Sequence, residues 1–238
     1  AVKTVEDDRF DVKMAVPRTD IKGRVALDAK LHLADSTLRT DIDASLEQGE
    51  VSIVTMLTNL RPIGTLVSLS GGTVREKKER EDGEPGLWES LTRTKDVIIN
   101  VNATVGRKVD LVINPLIQAL VNPGTKFSFS LDTSLSSWSL KSDVALRGGH
   151  LTYLSRNFYL KDGQVLLNEN EKSFNPLITA RAETKERDSD GVVVTLILEA
   201  SKQSLSAFSP HVYSVPARSE SEIMAMLGQV VSGDSDSA

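Results

Sequence analysis

The sequence has no cysteine, few aromatic side chains and no long hydrophobic run. Without cysteine the chain can form neither a disulfide framework nor a thiolate metal site, and such a chain is compatible with an oxidising compartment. Aromatic residues occupy only 5% of the 238 positions, so the interior must be built mainly from aliphatic side chains. No apolar stretch reaches the length of about 18 residues that a membrane-spanning helix needs. Any membrane anchor is therefore expected outside this sequence.

The sequence also lacks the charge pattern that attracts nucleic acid. Its 28 basic and 33 acidic residues give a net charge of -5, and the basic residues are scattered among acidic ones. A nucleic-acid interface needs a basic patch or stripe, commonly with aromatic residues beside it. Nucleic acid is therefore not expected as a partner.

Motifs that carry catalysis are absent as well. His32, His150 and His211 lie far apart, and none belongs to a recognisable metal-ligand motif. There is no nucleophile elbow, P-loop or dinucleotide fingerprint. The sequence predicts no enzymatic activity, no metal and no other cofactor.

What the sequence does contain is a strict alternation of apolar and polar residues, most regular near residues 192–200. A period of two places every second side chain on the same side of a strand, so each such run has one apolar face. In this run the opposite face carries Val193, Thr195, Ile197 and Glu199. The apolar face carries Val192, Val194, Leu196, Leu198 and Ala200.

Similar runs recur roughly every ten to twelve residues, a rhythm typical of an all-β sandwich, barrel or open meander. They include residues 24–33, 38–46, 51–56, 64–74, 97–105, 109–113, 127–131 and 138–146. A chain of this length can form one large β domain or two small ones. Because no change in composition separates two cores, we expect a single domain over residues 1–231, followed by a disordered tail at 232–238.

Glycine-containing dipeptides predict the turns between these strands. Gln48–Gly49, Gly106–Arg107, Gly148–Gly149 and Asp162–Gly163 suit tight turns, and Asp190–Gly191 suits a longer charged loop.

Two other segments connect strands without an alternating pattern. Residues 75–86 predict a solvated loop; a basic phosphate-binding cluster is the alternative, but five acidic residues within the segment argue against it. Residues 114–123, with proline near both ends, fit either a helical turn or an edge crossing.

One helix is predicted near the end of the chain. Ser219 followed by Glu222 forms a capping-box pattern. Ile223, Met226, Leu227 and Val230 then fall on one helical face. We expect this face to pack over the mouth or end of the sheet.

The order of several motifs resembles the C-terminal domain of the TamB family, the translocation and assembly module proteins of diderm bacteria. The pattern G-x-L-x-Y-x-x-R-x-F-x-L-x-x-G-x-V-x-x-N spans residues 149–168, and F-N-P-L-I-x-A-x-A spans residues 174–182. A valine-rich strand, Ser209–Pro210 and the helical S-E-I-M-A-M-L-G at 221–228 follow. The family usually has aspartate where this chain has Asn175. The chain opens on Ala1 without an initiator methionine or signal peptide, which predicts a piece of a longer protein.

This resemblance implies an AsmA-like, bridge-type lipid transfer protein of the periplasm. Its fold is a long antiparallel sheet curled into an open, taco-like half-barrel with an apolar interior and a short C-terminal amphipathic helix. The implied function is to conduct phospholipid from the inner to the outer membrane and to assist autotransporter assembly with an outer-membrane β-barrel partner like TamA or BamA. A tether to the inner membrane is implied in a segment outside this sequence.

The alternating faces supply the lipid contacts that the resemblance implies. These are Val97, Ile99, Val101, Phe127, Phe129, Leu131, Trp138, Leu140, Val144, Leu146, Leu151, Tyr153, Phe158, Leu160, Val165, Leu167, Ile178, Ala180, Val192, Val194, Leu196 and Leu198.

Periodicity alone does not distinguish an open apolar trough from a closed core. A trough that carries an acyl chain of about sixteen carbons must offer on the order of 13 kcal/mol, at about 0.8 kcal/mol per methylene kept from water. Most period-two apolar faces instead fill an ordinary core. The alternative function is a structural or chaperone-like β domain, such as an adhesin passenger or an assembly factor that pairs its edge with client strands.

Overall fold

The computed structural model describes residues 2–3, 10–16, 19–34, 36–53, 67–69 and 96–228, with side chains described within 19–34, 36–53 and 96–228. In this part of the chain thirteen strands form one sheet. The strands are β1 (Val2–Lys3), β2 (Phe10–Val16), β3 (Thr19–Ala34), β4 (Thr37–Ile53), β5 (Val67–Leu69), β6 (Asp96–Ile113), β7 (Ile117–Val121), β8 (Lys126–Asp132), β9 (Ser137–Tyr153), β10 (Arg156–Asn170), β11 (Leu177–Arg187), β12 (Val193–Ser204) and β13 (His211–Val215). A 3-10 turn (Leu205–Ala207) and the helix α1 (Glu220–Met226) complete the described elements.

The strands follow the order β13-β12-β11-β10-β9-β7-β6-β4-β3-β2-β5 across the sheet, with β1 pairing β3. Both β7 and β8 lie between β6 and β9, end to end in one column, because β8 pairs the first half of β6 and β7 pairs the second half. Among the described strands, the two ends of the order do not pair with each other. The expected all-β sheet, curled but not closed, with one short C-terminal helix, is confirmed.

One pair departs from the expected antiparallel arrangement. Strands β4 and β6 run parallel, from Thr37 opposite Asp96 to Ile53 opposite Ile113. Between these two strands the chain contributes β5, which pairs β2 at the far edge of the sheet. A parallel pair cannot be joined by a tight hairpin and requires a crossover connection between its strands.

The four glycine-containing dipeptides within the long strands are not turns, so those predictions are wrong. Strand β4 continues through Gln48–Gly49, β6 through Gly106–Arg107, β9 through Gly148–Gly149 and β10 through Asp162–Gly163. The pairing shifts register at or beside each dipeptide. Glycine permits both a tight turn and the unusual backbone of a β-bulge, so the two structures share one local sequence signal. The predicted strands at 38–46 and 51–56 thus belong to one strand as far as Ile53.

These irregularities lie along a single line that crosses the sheet, which we name the transverse line. Two register pairs mark the position of this line. Leu46 pairs with Val105 between β4 and β6, and Leu146 pairs with Gly163 between β9 and β10. The line passes Glu47 on β4, Gly106 on β6, residues 122–125 between β7 and β8, Gly149 on β9, Lys161 on β10 and Thr179 on β11. Bulges bend a strand and increase its twist, so a row of them at mid-strand curls the sheet.

The turns that do join neighbouring strands lie at other positions than these four dipeptides. Strands β9 and β10 are joined at Leu154 and Ser155, whose φ angles are 47° and 62°. This left-handed turn contains no glycine, and sequence analysis did not predict it. The predicted loop at Asp190–Gly191 is confirmed, with Gly191 at φ 78° and its N–H donating to the Asp188 carbonyl at 3.0 Å.

The sequence predictions for the remaining segments are confirmed in part, and some of them concern residues that the structure does not describe. Residues 114–116 form a turn, and β7 follows, so the segment 114–123 is a sheet crossing rather than a helix. Within the predicted strand at 64–74, Val67–Leu69 form β5, and the other residues lie outside the described ones. The predicted charged loop at 75–86, the tail at 232–238 and Val230 lie outside the described residues.

Alternate side chains of the strands form one continuous cluster of buried apolar residues that extends from Val25 to Leu227. The predicted faces of β12 are confirmed, since Val194, Leu196 and Leu198 are each 0% exposed. Ile197 lies on the other face but is also buried there. It pairs with Tyr213 on β13 and Glu183 on β11, so a long side chain flanks it on each neighbouring strand.

Helix α1 begins as predicted and packs against one end of the curled sheet. The Ser219 hydroxyl accepts from the Glu222 N–H, and the Glu222 carboxylate accepts from the Ser219 N–H at 2.8 Å. Ile223 and Leu227 are buried in the apolar cluster. Because Arg218 pairs with Asp188 in the β11–β12 turn, this end carries α1, and we name it the helix end. The opposite end, which carries the β3–β4, β8–β9 and β10–β11 connections, is named the open end.

Candidate functional site

The curled sheet has one apolar face, built by in-register residues from successive strands. Because side chains alternate between faces, register partners always point to the same side. A single row across the sheet near the open end illustrates the composition of this face. It contains Ala29, Ile42, Val101, Phe129 and Leu140.

Most of the predicted lipid-contact residues lie on this face with their side chains out of solvent. Ile99, Val101, Trp138 and Tyr153 are half-buried. The buried ones are Val97, Phe127, Phe129, Leu131, Leu140, Val144, Leu146, Leu151, Phe158, Leu160, Val165, Leu167, Ile178, Ala180, Val194, Leu196 and Leu198.

Val192 does not belong to the apolar face, contrary to expectation. It precedes β12 in the turn, where its N–H donates to the Asp188 carboxylate at 2.8 Å. Its side chain is 46% exposed. Strand β12 begins at Val193, so the apolar face begins at Val194, two residues later than predicted, because the Asp188 carboxylate holds Val192 in the turn.

The helix end of the apolar face is closed. Val109, Leu111, Leu151, Phe158 and Val194 are each 0% exposed there. Side chains at this end pack against one another and against the buried face of α1. This part of the face has the burial of a protein core.

Exposure of the apolar face rises toward the open end on β3, whereas on β4 and β6 its half-buried residues lie further in and Leu38 and Val97 at the start of those strands are buried. Leu31 is 52% exposed and Leu33 is 64% exposed, although both continue the apolar face of β3. Among the described residues, β2 pairs β3 as far as Val25, and β1 pairs it at Asp28 and Ala29. Past Ala29, among the described strands, β3 has a neighbour on one side only. We name Leu27, Leu31, Leu33, Ile42, Ile99 and Val101 the apolar strip, whose members are half-buried or exposed.

Of this strip, only Ile99 and Val101 are among the lipid contacts predicted from the sequence. The signal for the others was present, because Leu27, Leu31 and Leu33 alternate with Asp28, Lys30 and His32. What the alternation does not reveal is exposure, which depends on how far β1 and β2 extend along β3. The strip is therefore a feature that only the three-dimensional arrangement identifies.

A carboxylate lies on the apolar face close to the open end. Glu169 pairs with Leu140 and is 4% exposed. One of its carboxylate oxygens accepts a hydrogen bond from the Asn175 N–H at 2.6 Å. This bond ties the β10–β11 connection to strand β10 at the open end. Within that connection Phe174 stacks at a tilt against Trp138, with ring centroids 6.5 Å apart. Sequence analysis did not identify Glu169, since its partner is a backbone group.

Electrostatic contacts hold the helix end together. Asp188 accepts from two nitrogens of the Arg218 guanidinium, at 2.6 and 3.1 Å. The hydrogen bond from Arg218 is the main cause that lowers the pKa of Asp188 below its usual value. The same pair raises the pKa of Arg218. This pair joins the β11–β12 turn to the segment that leads into α1.

No protein-family model, curated protein or solved structure matches this chain. In the described ranges, no helix has the length and apolar character to cross a membrane. The same residues contain no group of three or more acidic or histidine side chains placed to hold a metal ion.

Proposed function

We propose that the chain is a periplasmic lipid-conducting module that shields phospholipid acyl chains along its apolar face. The observation that carries the proposal is the apolar strip, where the interior face continues into solvent at Leu31 and Leu33. An apolar surface that is left uncovered beside a closed core is a site for an apolar ligand or partner.

The strip has dimensions that suit an extended acyl chain. From Leu27 to Leu33 the strand spans about 20 Å, at about 3.4 Å per residue. Aliphatic side chains of β4 and β6 widen this surface, with Ile42 pairing Val101 across the two strands. Each methylene that the strip removes from water contributes about 0.8 kcal/mol. The affinity of such a surface for a lipid therefore depends on the length of the acyl chain rather than on the polar headgroup.

The remaining parts of the proposal follow the resemblance to the TamB family. We propose location in the periplasm, with a tether to the inner membrane outside this sequence and phospholipid transport toward the outer membrane. The proposed protein partner is an outer-membrane β-barrel assembly protein like TamA or BamA, with a contribution to autotransporter assembly. We propose no enzymatic activity, no cofactor and no nucleic-acid partner.

The alternative function, a structural or chaperone-like β domain, has one observation in its favour. Strand β3 beyond Ala29 has a strand neighbour on one side only among the described residues. An exposed strand edge can pair with an extended client chain through its backbone groups. In that case the backbone of residues 30–34 would be the binding element, and Leu31 and Leu33 would contact the client's side chains.

Site-specific photocrosslinking distinguishes these functions. A photoreactive benzophenone side chain is introduced at Leu31 in the full-length protein in cells, and adducts are analysed by mass spectrometry. We expect phospholipid adducts at Leu31. His32 is the matched control, because it is the next residue, it is also exposed and it points to the other face. We expect its lipid adducts to be fewer by about tenfold, since it lies on the polar side of the strand.

The outcome at these two positions decides the proposal. Peptide adducts at both positions without lipid would favour the strand-pairing function. Equal lipid labelling at Leu31 and His32 would show that contact with lipid does not depend on the apolar face, and the proposal would then fail.

A further inference from the structure

A concavity lies on the sheet where the transverse line crosses β3, β4 and β6. Its volume is about 420 Å³. It is lined by Arg24, Glu47, Gln48, Gly106, Arg107 and Lys108. Three of these six residues are cationic and one is acidic, in a protein whose net charge is -5.

The register places this concavity on the convex side of the curled sheet. Arg24 pairs with Gln48, and Gln48 pairs with Lys108, so the three side chains share one face. The adjacent pair, Val25 and Leu46, is buried on the opposite, apolar face. The concavity is therefore separate from the apolar strip, and it can act independently of it.

Two adjacent bulges produce the concavity. In the pairing with β3, Glu47 is the extra residue of β4 between the pairs Val25–Leu46 and Arg24–Gln48. In the pairing with β6, Glu47 lies opposite two residues, Gly106 and Arg107, between the pairs Leu46–Val105 and Gln48–Lys108. A Cβ at Gly106 would lie 2.8 Å from the Glu47 Cα, so only glycine allows the two strands to approach this closely. The bulge thus brings Arg107 and Lys108, neighbours in sequence, beside Arg24 from another strand.

Carboxylates lie near the concavity, with Glu47 in its lining and Glu50 and Asp110 in the next register pair on the same face, but the cations of the lining do not form ion pairs with them. In the described part of the chain, the side chains of Arg24, Arg107 and Lys108 form no ion pair and no hydrogen bond, and all three are exposed. The Arg107 carbonyl accepts from the Arg147 guanidinium, which adds another cation nearby. The Glu47 carboxylate accepts from the Ser45 hydroxyl at 3.1 Å.

We propose that this concavity binds a phosphate-type oxyanion, carried either by a soluble phosphoester or by a lipid headgroup. Two guanidinium groups offer planar donor forks that match phosphate oxygens, and Lys108 adds a point charge. The single carboxylate of Glu47 leaves a positive balance among the lining groups. Since the oxyanion would bind on the convex face, the proposal goes beyond the lipid-conducting function and does not depend on it.

The soluble form of the ligand is tested by NMR titration of the ¹⁵N-labelled chain with glycerol 3-phosphate. We expect saturable shifts confined to the amides of Arg24, Gln48 and residues 106–108. The double variant Arg24→Gln/Lys108→Gln should bind at least about tenfold more weakly, which corresponds to about 1.4 kcal/mol. Lys141→Gln/Lys185→Gln is the matched control, because it removes the same charge from exposed positions elsewhere.

The lipid form is tested by sedimentation with phosphatidylglycerol vesicles, with phosphatidylcholine vesicles as the neutral comparison. Binding to phosphatidylglycerol that is lost only in Arg24→Gln/Lys108→Gln would assign a headgroup ligand. Saturable binding of glycerol 3-phosphate would assign a phosphoester that needs no membrane. The proposal is overturned if neither probe binds, or if the control variant loses as much binding as Arg24→Gln/Lys108→Gln.

Discussion

Gly23 and Gly49 lie directly opposite each other on β3 and β4, so close that a Cβ on Gly23 would come within 2.8 Å of the Gly49 Cα. The same Cβ would come within 2.7 Å of a terminal methyl carbon of Leu46. Because neither glycine has a side chain, the two strands can approach each other here, and the Leu46 side chain can lie over Gly23. This contact adjoins the transverse line, where the sheet bends.

We expect Gly23→Ala to destabilise the protein by about 1–3 kcal/mol, the usual cost of overpacking a filled interior. Unfolding in urea, monitored by circular dichroism, measures the change. Gly148→Asn is the control, because Gly148 has a φ of 63°, which asparagine tolerates, and a Cβ there meets no atom within 4 Å. An unchanged urea midpoint for Gly23→Ala would show that the strands can separate locally at no cost.

A charge placed on the apolar face should have opposite effects at its two ends. Leu196 is 0% exposed, so Leu196→Arg would bury an unpaired charge at a cost of several kcal/mol and should largely prevent folding. Leu31 is 52% exposed, and the arginine of Leu31→Arg can extend into water while its stem covers apolar surface. We expect Leu31→Arg to fold normally.

These two variants also separate folding from lipid binding. Leu31→Arg should keep a normal β spectrum but carry less phospholipid when the purified protein is extracted and analysed by native mass spectrometry. A folded Leu196→Arg protein would contradict the closed helix end. Full lipid occupancy in Leu31→Arg would contradict the role of the strip.

The buried face of α1 should contribute strongly to stability. Leu227 is 2% exposed, and Leu227→Ala should cost about 2–5 kcal/mol, since it leaves a cavity among the side chains that close the helix end. Ala225→Ser, on the exposed side of the helix, should change stability by less than about 0.5 kcal/mol. Binding of a hydrophobic dye should rise only in Leu227→Ala. Equal stability of the two variants would mean that the helix contributes little to closing this end.

The Asp188–Arg218 pair should make stability depend on pH on the acidic side. The pKa of Asp188 is lower in the folded chain than its ordinary value, chiefly because Arg218 donates to it. The stabilisation is therefore fully present above the unfolded pKa of about 3.9 and is lost as pH falls through the folded pKa. The stability difference between the wild type and Asp188→Asn should shrink below about pH 4.

Asp190→Asn provides the control for this titration, because Asp190 lies in the same turn but is exposed. Urea unfolding at a series of pH values gives the comparison. If the difference between wild type and Asp188→Asn stayed constant down to pH 2, the carboxylate would not be the group that titrates.

Local sequence patterns predicted the features that depend on neighbouring residues. The alternation of Val194, Leu196 and Leu198 assigned their face correctly, because the period of a strand is set by its own backbone. Ser219 and Glu222 predicted the start of α1, since both partners of a capping box lie within one turn. The all-β class followed from the repetition of such runs.

Features that depend on distant strands were not predictable in this way. Gly106 gives the same local signal in a turn and in a bulge, and only the approach of Glu47 distinguishes them. The parallel pairing of β4 with β6 has no local signature. Whether Leu31 is a core residue or a surface residue depends on where β1 and β2 stop. For this reason the sequence predicted which residues lie on the apolar face, but it did not predict the exposure of the apolar strip.

The parallel pairing of β4 and β6 has a consequence for the order of folding. Hydrogen-bonded partners across it, such as Asp41 and Asn100, are 59 residues apart in the chain, while β9 to β12 form successive hairpins. Contacts between distant residues require a large loop to close first, so they form slowly. We expect the hairpins of β9 to β12 to gain protection from hydrogen exchange early, and the β4–β6 pairing to gain it late. Strand β3, which carries Leu31 and Leu33, would then dock together with β4 onto a preformed C-terminal half.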